Sequence, residues 1–244
     1  MRRIVPTLLL AALGALTLGA AALGVSSSPR YVYFATPSPG TPDVVSAFRG
    51  LVRHTLEQRS FTVHQNGATL VYQAPNRSEY VGGLSSTIVI GGTSYVALSS
   101  TKSRVDQWGE YHLTRNVEQS AGPRAAKSAL VDFVTASSIV LRSGSYEVKE
   151  VVPIGEIEPD HAGQLLIEAT VRPLDGRVAT ISVVAFGLEP KLTWTIRYSA
   201  YGSSPSIIAP PRNRTVRLIP CRDGATEESG PAGYECGLLG EGSS

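Results

Sequence analysis

The chain has 244 residues, 42% of them apolar and 17% charged, with a formal net charge of +2. That apolar content with so little net charge excludes disorder throughout. Only one uncharged apolar stretch is long enough to span a bilayer, and it stands at the start, which excludes a multi-pass membrane protein. With two cysteines the chain is neither a disulfide-dense scaffold nor a four-cysteine zinc site.

Arg2 and Arg3 precede an uncharged run from Ile4 to Val25 that is leucine-rich at first and small-residue-rich at its end. A charged start, an apolar middle and a small-residue end make a secretory signal, with Ala22-Leu23-Gly24 fitting the cleavage site. The alternative is an uncleaved anchor, because a helix over residues 4–25 would reach about 33 Å. Under both readings residues 1–25 direct the rest of the chain out of the cytoplasm into the cell envelope, either anchored or secreted. The leader carries two arginines and no acid, so the remainder balances 20 basic against 20 acidic residues. The whole-chain excess is therefore a leader effect and gives no case for nucleic-acid binding. Arginine outnumbers lysine 18 to 4, and alanine, glycine and proline abound, a composition that points to a GC-rich bacterium.

Residues 26–41 are rich in serine and proline and read as an extended linker. Thr41-Pro42-Asp43 then starts a helix: Thr41 as cap, Pro42 in the first turn, Asp43 at the positive end of the dipole. Val44, Val45, Phe48, Leu51, Val52 and Leu56 recur at helical spacing, so the helix should run to about Arg59. From Phe61 the period becomes two. Strands are expected at 61–65 and 68–73 about the Asn66-Gly67 turn, then at 78–81, 87–90, 93–98 and 109–114. A second helix is expected over 123–136, with Ala126, Ala129, Leu130, Phe133 and Val134 as its apolar stripe.

Strands resume at 139–142, 146–152, 164–172, 177–186 and 191–199, with a last short one at 206–209 before Pro210-Pro211. Leu165, Ile167, Ala169 and Val171 share one face, as do Leu192, Trp194, Ile196 and Tyr198, while the alternate positions are polar. The expected fold class is α+β: a curved, antiparallel half-barrel sheet of about ten or eleven strands, with two helices covering its concave face, in one domain over 42–219. Residues 220–244 form a loose tail. Cys221 and Cys236 within it could close a loop of about 16 residues, worth roughly 3 kcal/mol in an exported chain. A redox role for the pair is disfavoured, because no C-x-x-C spacing is present.

The segments Leu56-Glu57-Gln58-Arg59-Ser60-Phe61, Tyr72-Gln73-Ala74-Pro75-Asn76-Arg77 and Ile90-Gly91-Gly92-Thr93-Ser94-Tyr95-Val96 carry a resemblance. So do Trp108, the run Trp194 to Gly202 and Ile207-Ile208-Ala209-Pro210-Pro211. Together, over about residues 42–211, they resemble the LolA-like lipoprotein carriers, nearest in the actinobacterial LppX/LprG branch. The resemblance implies a curved antiparallel sheet around helices, an apolar cavity for acyl chains, and transport or membrane docking in the envelope. It implies no catalytic residues. One departure is plain: Ala21-Ala22-Leu23-Gly24-Val25 holds no lipobox cysteine, so this site cannot be lipid-anchored.

Chemistry-bearing motifs are sparse. Ser99-Ser100-Thr101-Lys102 matches S-x-x-K, but it falls in a polar loop with no partner motif. Of the four histidines, His54 lies on the polar side of a helix and His161 in a loop. His64 and His112 lie in strands that could approach each other, without a third metal ligand. Arg212 and Arg214 share a face if extended, where they would either meet anionic lipid or blunt a sheet edge. Trp194, Tyr198 and Tyr95 read first as a filled core, with a cavity lining as the alternative.

The sequence thus predicts a non-enzymatic binder of lipid or another apolar ligand at the membrane surface, without cofactor or metal. Its cavity would be lined by Phe48, Phe133, Leu165, Ile167, Val183, Trp194 and Ile196. An acyl chain needs only shape and dryness, since each buried methylene gains about 0.8 kcal/mol. The alternative is an anchored interaction or sensor domain whose core is filled and whose partner is an envelope protein.

Overall fold

The computed structural model describes residues 34–82, 85–101, 104–112, 115–153, 164–187 and 191–218. The leader, most of the linker, His161 and the tail with Cys221 and Cys236 lie outside the described residues. Among those described, twelve strands and three α-helices form an α+β fold whose pairing is antiparallel but for one strand, in an unclosed arrangement. No helix among them is long and apolar enough to cross a membrane. The contacts divide the chain into two compact units.

The first unit takes residues up to Gln58 and Lys127–Tyr198. Its helix α1 spans Pro42–Leu56. Pro42 stands in the first turn, where a missing N–H costs nothing, and Asp43 follows it. Thr41 occupies the cap position, but its side chain makes no capping bond; its carbonyl accepts from Val45 N at 3.0 Å. Only Phe48, Val52 and Thr55 are buried on α1, a stripe narrower than the apolar periodicity suggests. The helix stops at Leu56 rather than Arg59, because the next strand already begins at Ser60.

Five strands follow in this unit: β7 (Ile139–Arg142), β8 (Ser145–Pro153), β9 (Gln164–Leu174), β10 (Arg177–Phe186) and β11 (Leu192–Ser199). Each pairs antiparallel with the next. Ser143-Gly144 and Asp175-Gly176 all take positive φ, between 48° and 75°, as tight two-residue hairpin turns require. Ahead of α1, Gly40 lies so close to β7 that an added Cβ would collide with the Ile139 carbonyl oxygen. Gly40 N donates to Ser137 O at 2.8 Å, which ties the incoming chain to the segment before β7.

The second unit takes Arg59–Ala126 and the chain from Ser199 onward. Its strands β1 (Ser60–Gln65), β2 (Ala68–Gln73), β3 (Arg77–Gly82), β4 (Ser85–Ile90), β5 (Thr93–Thr101) and β6 (Arg104–His112) form an antiparallel meander. β12 (Thr215–Arg217) lies beside β6 and is parallel to it. Here β1 and β4 bury consecutive residues, so both faces of these two strands are covered, unlike the one-wet, one-dry pattern expected. On β4, Val89 packs with Val96, Tyr111, Val117, Ala121 and Leu218, while Ile88 packs on the other face with Trp108 and Ile207. Val117 belongs to a short helix, α2 (Arg115–Ser120), which the apolar pattern did not announce. Helix α3 (Pro123–Phe133) begins in this unit and ends in the first, three residues short of the expected end.

The strand expected at 206–209 does not form. Ile207 N donates to the Gln73 side chain at 3.2 Å, and Ile207 O accepts from Arg77 Nη1 at 2.8 Å. Side chains thus satisfy this backbone in place of a ladder, and Ile207 fills the apolar cluster as a single plug. The final strand lies further on, at Thr215–Arg217.

Candidate functional site

All seven residues expected to line a cavity fall in the first unit. Strand register sets five of them among ordered rows. Val148, Ala169, Val183 and Trp194 stand side by side across β8 to β11. Tyr146, Val171, Ile181 and Ile196 make the next row, and Glu150, Ile167, Ala185 and Leu192 the row beyond. Leu165 pairs with Val152 at the end of the same face. The period-two alternation on β9 and β11 is the reason: one face carries the apolar set and the other Glu168, Thr170, Thr193 and Arg197.

Helices supply the remaining two. Phe48 of α1 meets the Phe133 ring of α3 edge-on at 6.1 Å and the Tyr146 ring of β8 at 5.1 Å. Thr55 ties the far end of α1 to the sheet, donating to Leu51 O and accepting from Val178 N, each at 2.9 Å. Arg49 Nη2 donates to Ala136 O at 3.1 Å. The seven side chains are 0–6% exposed. Phe48 lies against this face at Tyr146, and all seven side chains are withdrawn from water.

Trp194 Nε1 is buried, and its N–H finds no acceptor among the described residues. Such an orphan costs about 1–3 kcal/mol relative to a paired donor.

A recess of about 430 Å³ lies elsewhere in the same unit. Pro39, Gly40, Pro42 and Ser137 border it together with Val45, Ser46, Arg49 and Arg53 of α1. None of the seven expected lining residues borders it. The sequence reading missed this site. The one signal was the four-residue step between Arg49 and Arg53, which puts both on one helix face.

Other sequence candidates resolve plainly. His64 and His112 lie on β1 and β6, five strand spacings apart along the sheet, and so are not on neighbouring strands. Both are exposed, and His64 Nδ1 bonds Thr69 Oγ1 at 3.1 Å. No group of three potential metal ligands occurs among the described residues. Ser99 to Thr101 belong to β5 rather than a loop, and Lys102 is outside the described residues. Arg212 and Arg214 are not extended: Arg212–Arg214 is one 3₁₀ turn whose Arg214 N donates to Pro211 O at 2.9 Å. Tyr95, partly buried in the cluster around Ile88, has its phenol pushed above the usual value. Burial is the largest cause and the nearby Glu110 carboxylate adds to it, while Arg212 pulls the other way.

The fold and its covered face define an α+β protein of antiparallel strands with a helix laid on apolar β-structure. Among solved structures the chain is similar to the Mycobacterium tuberculosis lipoprotein LppX, at 10% identity and a TM-score of 0.42, over 69% of this chain and 100% of that one. It is also similar to LprF from Mycobacterium bovis, at 13% identity and a TM-score of 0.43, over 72% of this chain and 99% of that one. Neither the protein-family models nor the curated proteins contain a match.

Proposed function

We propose that the chain is a non-enzymatic, extracytoplasmic binder of an apolar, acyl-type ligand, taken up on the β8–β11 face beneath α1. The observation that carries this reading is the orphan indole N–H of Trp194 inside a covered apolar face. An ester or carboxyl oxygen at the head of an acyl chain would supply the missing acceptor, while the chain itself would lie along the rows of branched residues. Displacing Phe48 costs about 3–5 kcal/mol, judged by the loss on truncating a buried phenylalanine. Each buried methylene returns about 0.8 kcal/mol, so roughly five of them offset the displacement. A longer chain binds with a surplus.

The burial of all seven side chains favours a second reading. If α1 does not move, the same unit is an inert core, and the protein is an envelope interaction or sensor domain. A titration of the full chain with a fluorescent long-chain acyl probe separates the two. In a Trp108→Phe background, binding should be saturable and should change the emission of Trp194. Trp194→Phe should weaken an acyl ester more than a hydrocarbon of equal length. Absence of saturable uptake, with no lipid retained on gentle desolvation of protein from its own host, leaves the interaction domain.

A further inference from the structure

We propose that the recess alongside α1 is a binding site for a phosphate-type oxyanion, held by Arg49 and Arg53. This inference does not depend on the acyl-ligand reading: it concerns a different surface of α1 and a different chemistry.

Three observations converge there. First, the recess of about 430 Å³ is large enough for a phosphate with its hydration shell or a small phosphorylated head. Second, Val45, Arg49 and Arg53 follow one another at four-residue steps, so both guanidiniums rise on the face that borders it. Third, the charges there are not neutralised. Neither arginine pairs with a carboxylate among the described residues, and no acidic side chain borders the recess. Two like charges one helical turn apart repel, and an anion between them removes the repulsion.

The geometry of Arg49 sharpens the case. Its Nη2 is held by Ala136 O at 3.1 Å, which fixes the guanidinium plane without cancelling its charge. A planar, pre-positioned guanidinium suits a tetrahedral oxyanion, to which arginine donates charge-assisted bonds. Gly40, pressed against the Ile139 carbonyl, holds the opposite wall in place. Ser46 and Ser137 also line the recess. The phosphate can be free or can be the head of an anionic lipid; the chemistry of recognition is the same.

Calorimetric titration of the full chain with inorganic phosphate at low ionic strength tests the site. One saturable site is expected, absent with chloride at equal ionic strength. Arg53→Gln, an exposed change that leaves the Arg49–Ala136 bond in place, should weaken it at least tenfold, and Arg49→Gln/Arg53→Gln should abolish it. Sedimentation with phosphatidylglycerol vesicles, against phosphatidylcholine controls, then assigns the source. Arginine-dependent capture by the anionic vesicles alone identifies a lipid head; phosphate binding without capture identifies the free anion. Failure to bind either probe, or binding indifferent to both variants, overturns the proposal. Acyl-probe uptake that survives in the double variant would separate a failure here from a failure on the sheet face.

Discussion

Phe48 stands edge-on to Phe133, with ring centroids 6.1 Å apart and planes at 87°, and both rings are almost wholly withdrawn from water. This pair joins two helices that are far apart in sequence and lays α1 on the sheet. Edge-to-face rings add about 0.5–1.5 kcal/mol beyond their buried area.

Phe48→Ala should therefore destabilise the protein by about 3–5 kcal/mol in chemical denaturation, and Phe48→Leu by under about 1.5 kcal/mol. The same truncation removes the plug that an acyl chain must displace. Phe48→Ala should bind the acyl probe more tightly than the wild type wherever it remains folded. Unchanged or weaker uptake would speak for a static core.

Thr55 offers a second test. Its hydroxyl is the acceptor for Val178 N, and Val178 is fully buried. Thr55→Val keeps the shape and removes the hydroxyl acceptor of that buried N–H, so a loss of about 1–3 kcal/mol is expected. Thr55→Ser should restore most of it. A valine variant as stable as the wild type would show that the bond carries no net stability.

Tyr95 gives a pH dependence whose sign is set by its surroundings. Burial and Glu110 raise its phenol above the ordinary value of 10.0, against the opposing pull of Arg212. The native state then holds a proton that the unfolded chain releases first. The resulting stability is fully present below the ordinary phenol value and is lost as pH rises through the higher folded one. Ultraviolet tyrosinate titration of Arg212→Ala should place Tyr95 higher still, with Tyr95→Phe identifying the signal. A downward shift would reverse the assignment of Arg212.

Several elements were legible from local pattern alone. Asn66-Gly67 and Asp175-Gly176 sit at hairpin turns because both positions need positive φ. The alternation through Leu165 to Val171 and Leu192 to Tyr198 placed one dry face correctly, since a strand's side chains must alternate. Other elements were not legible. The stretch 206–209 has a strand's composition, yet Gln73 and Arg77 capture its backbone from far along the chain. Helix α2 is too short for apolar periodicity to register. Arg212–Arg214 curls because the turn closes on Pro211 O, a local bond that residue identity does not announce.

By itself the sequence determined which side chains are apolar, where the chain turns, and which faces those side chains share; these follow from periods of two and of 3.6 residues and from glycine's access to positive φ. Only the tertiary structure decided that Phe48 covers part of the dry face. That depends on how far α1 drives Phe48 toward Tyr146 and Phe133, contacts between segments about ninety residues apart. The recess of Arg49 and Arg53 was likewise beyond local pattern, because three of its eight lining residues, Pro39, Gly40 and Ser137, arrive from outside the helix.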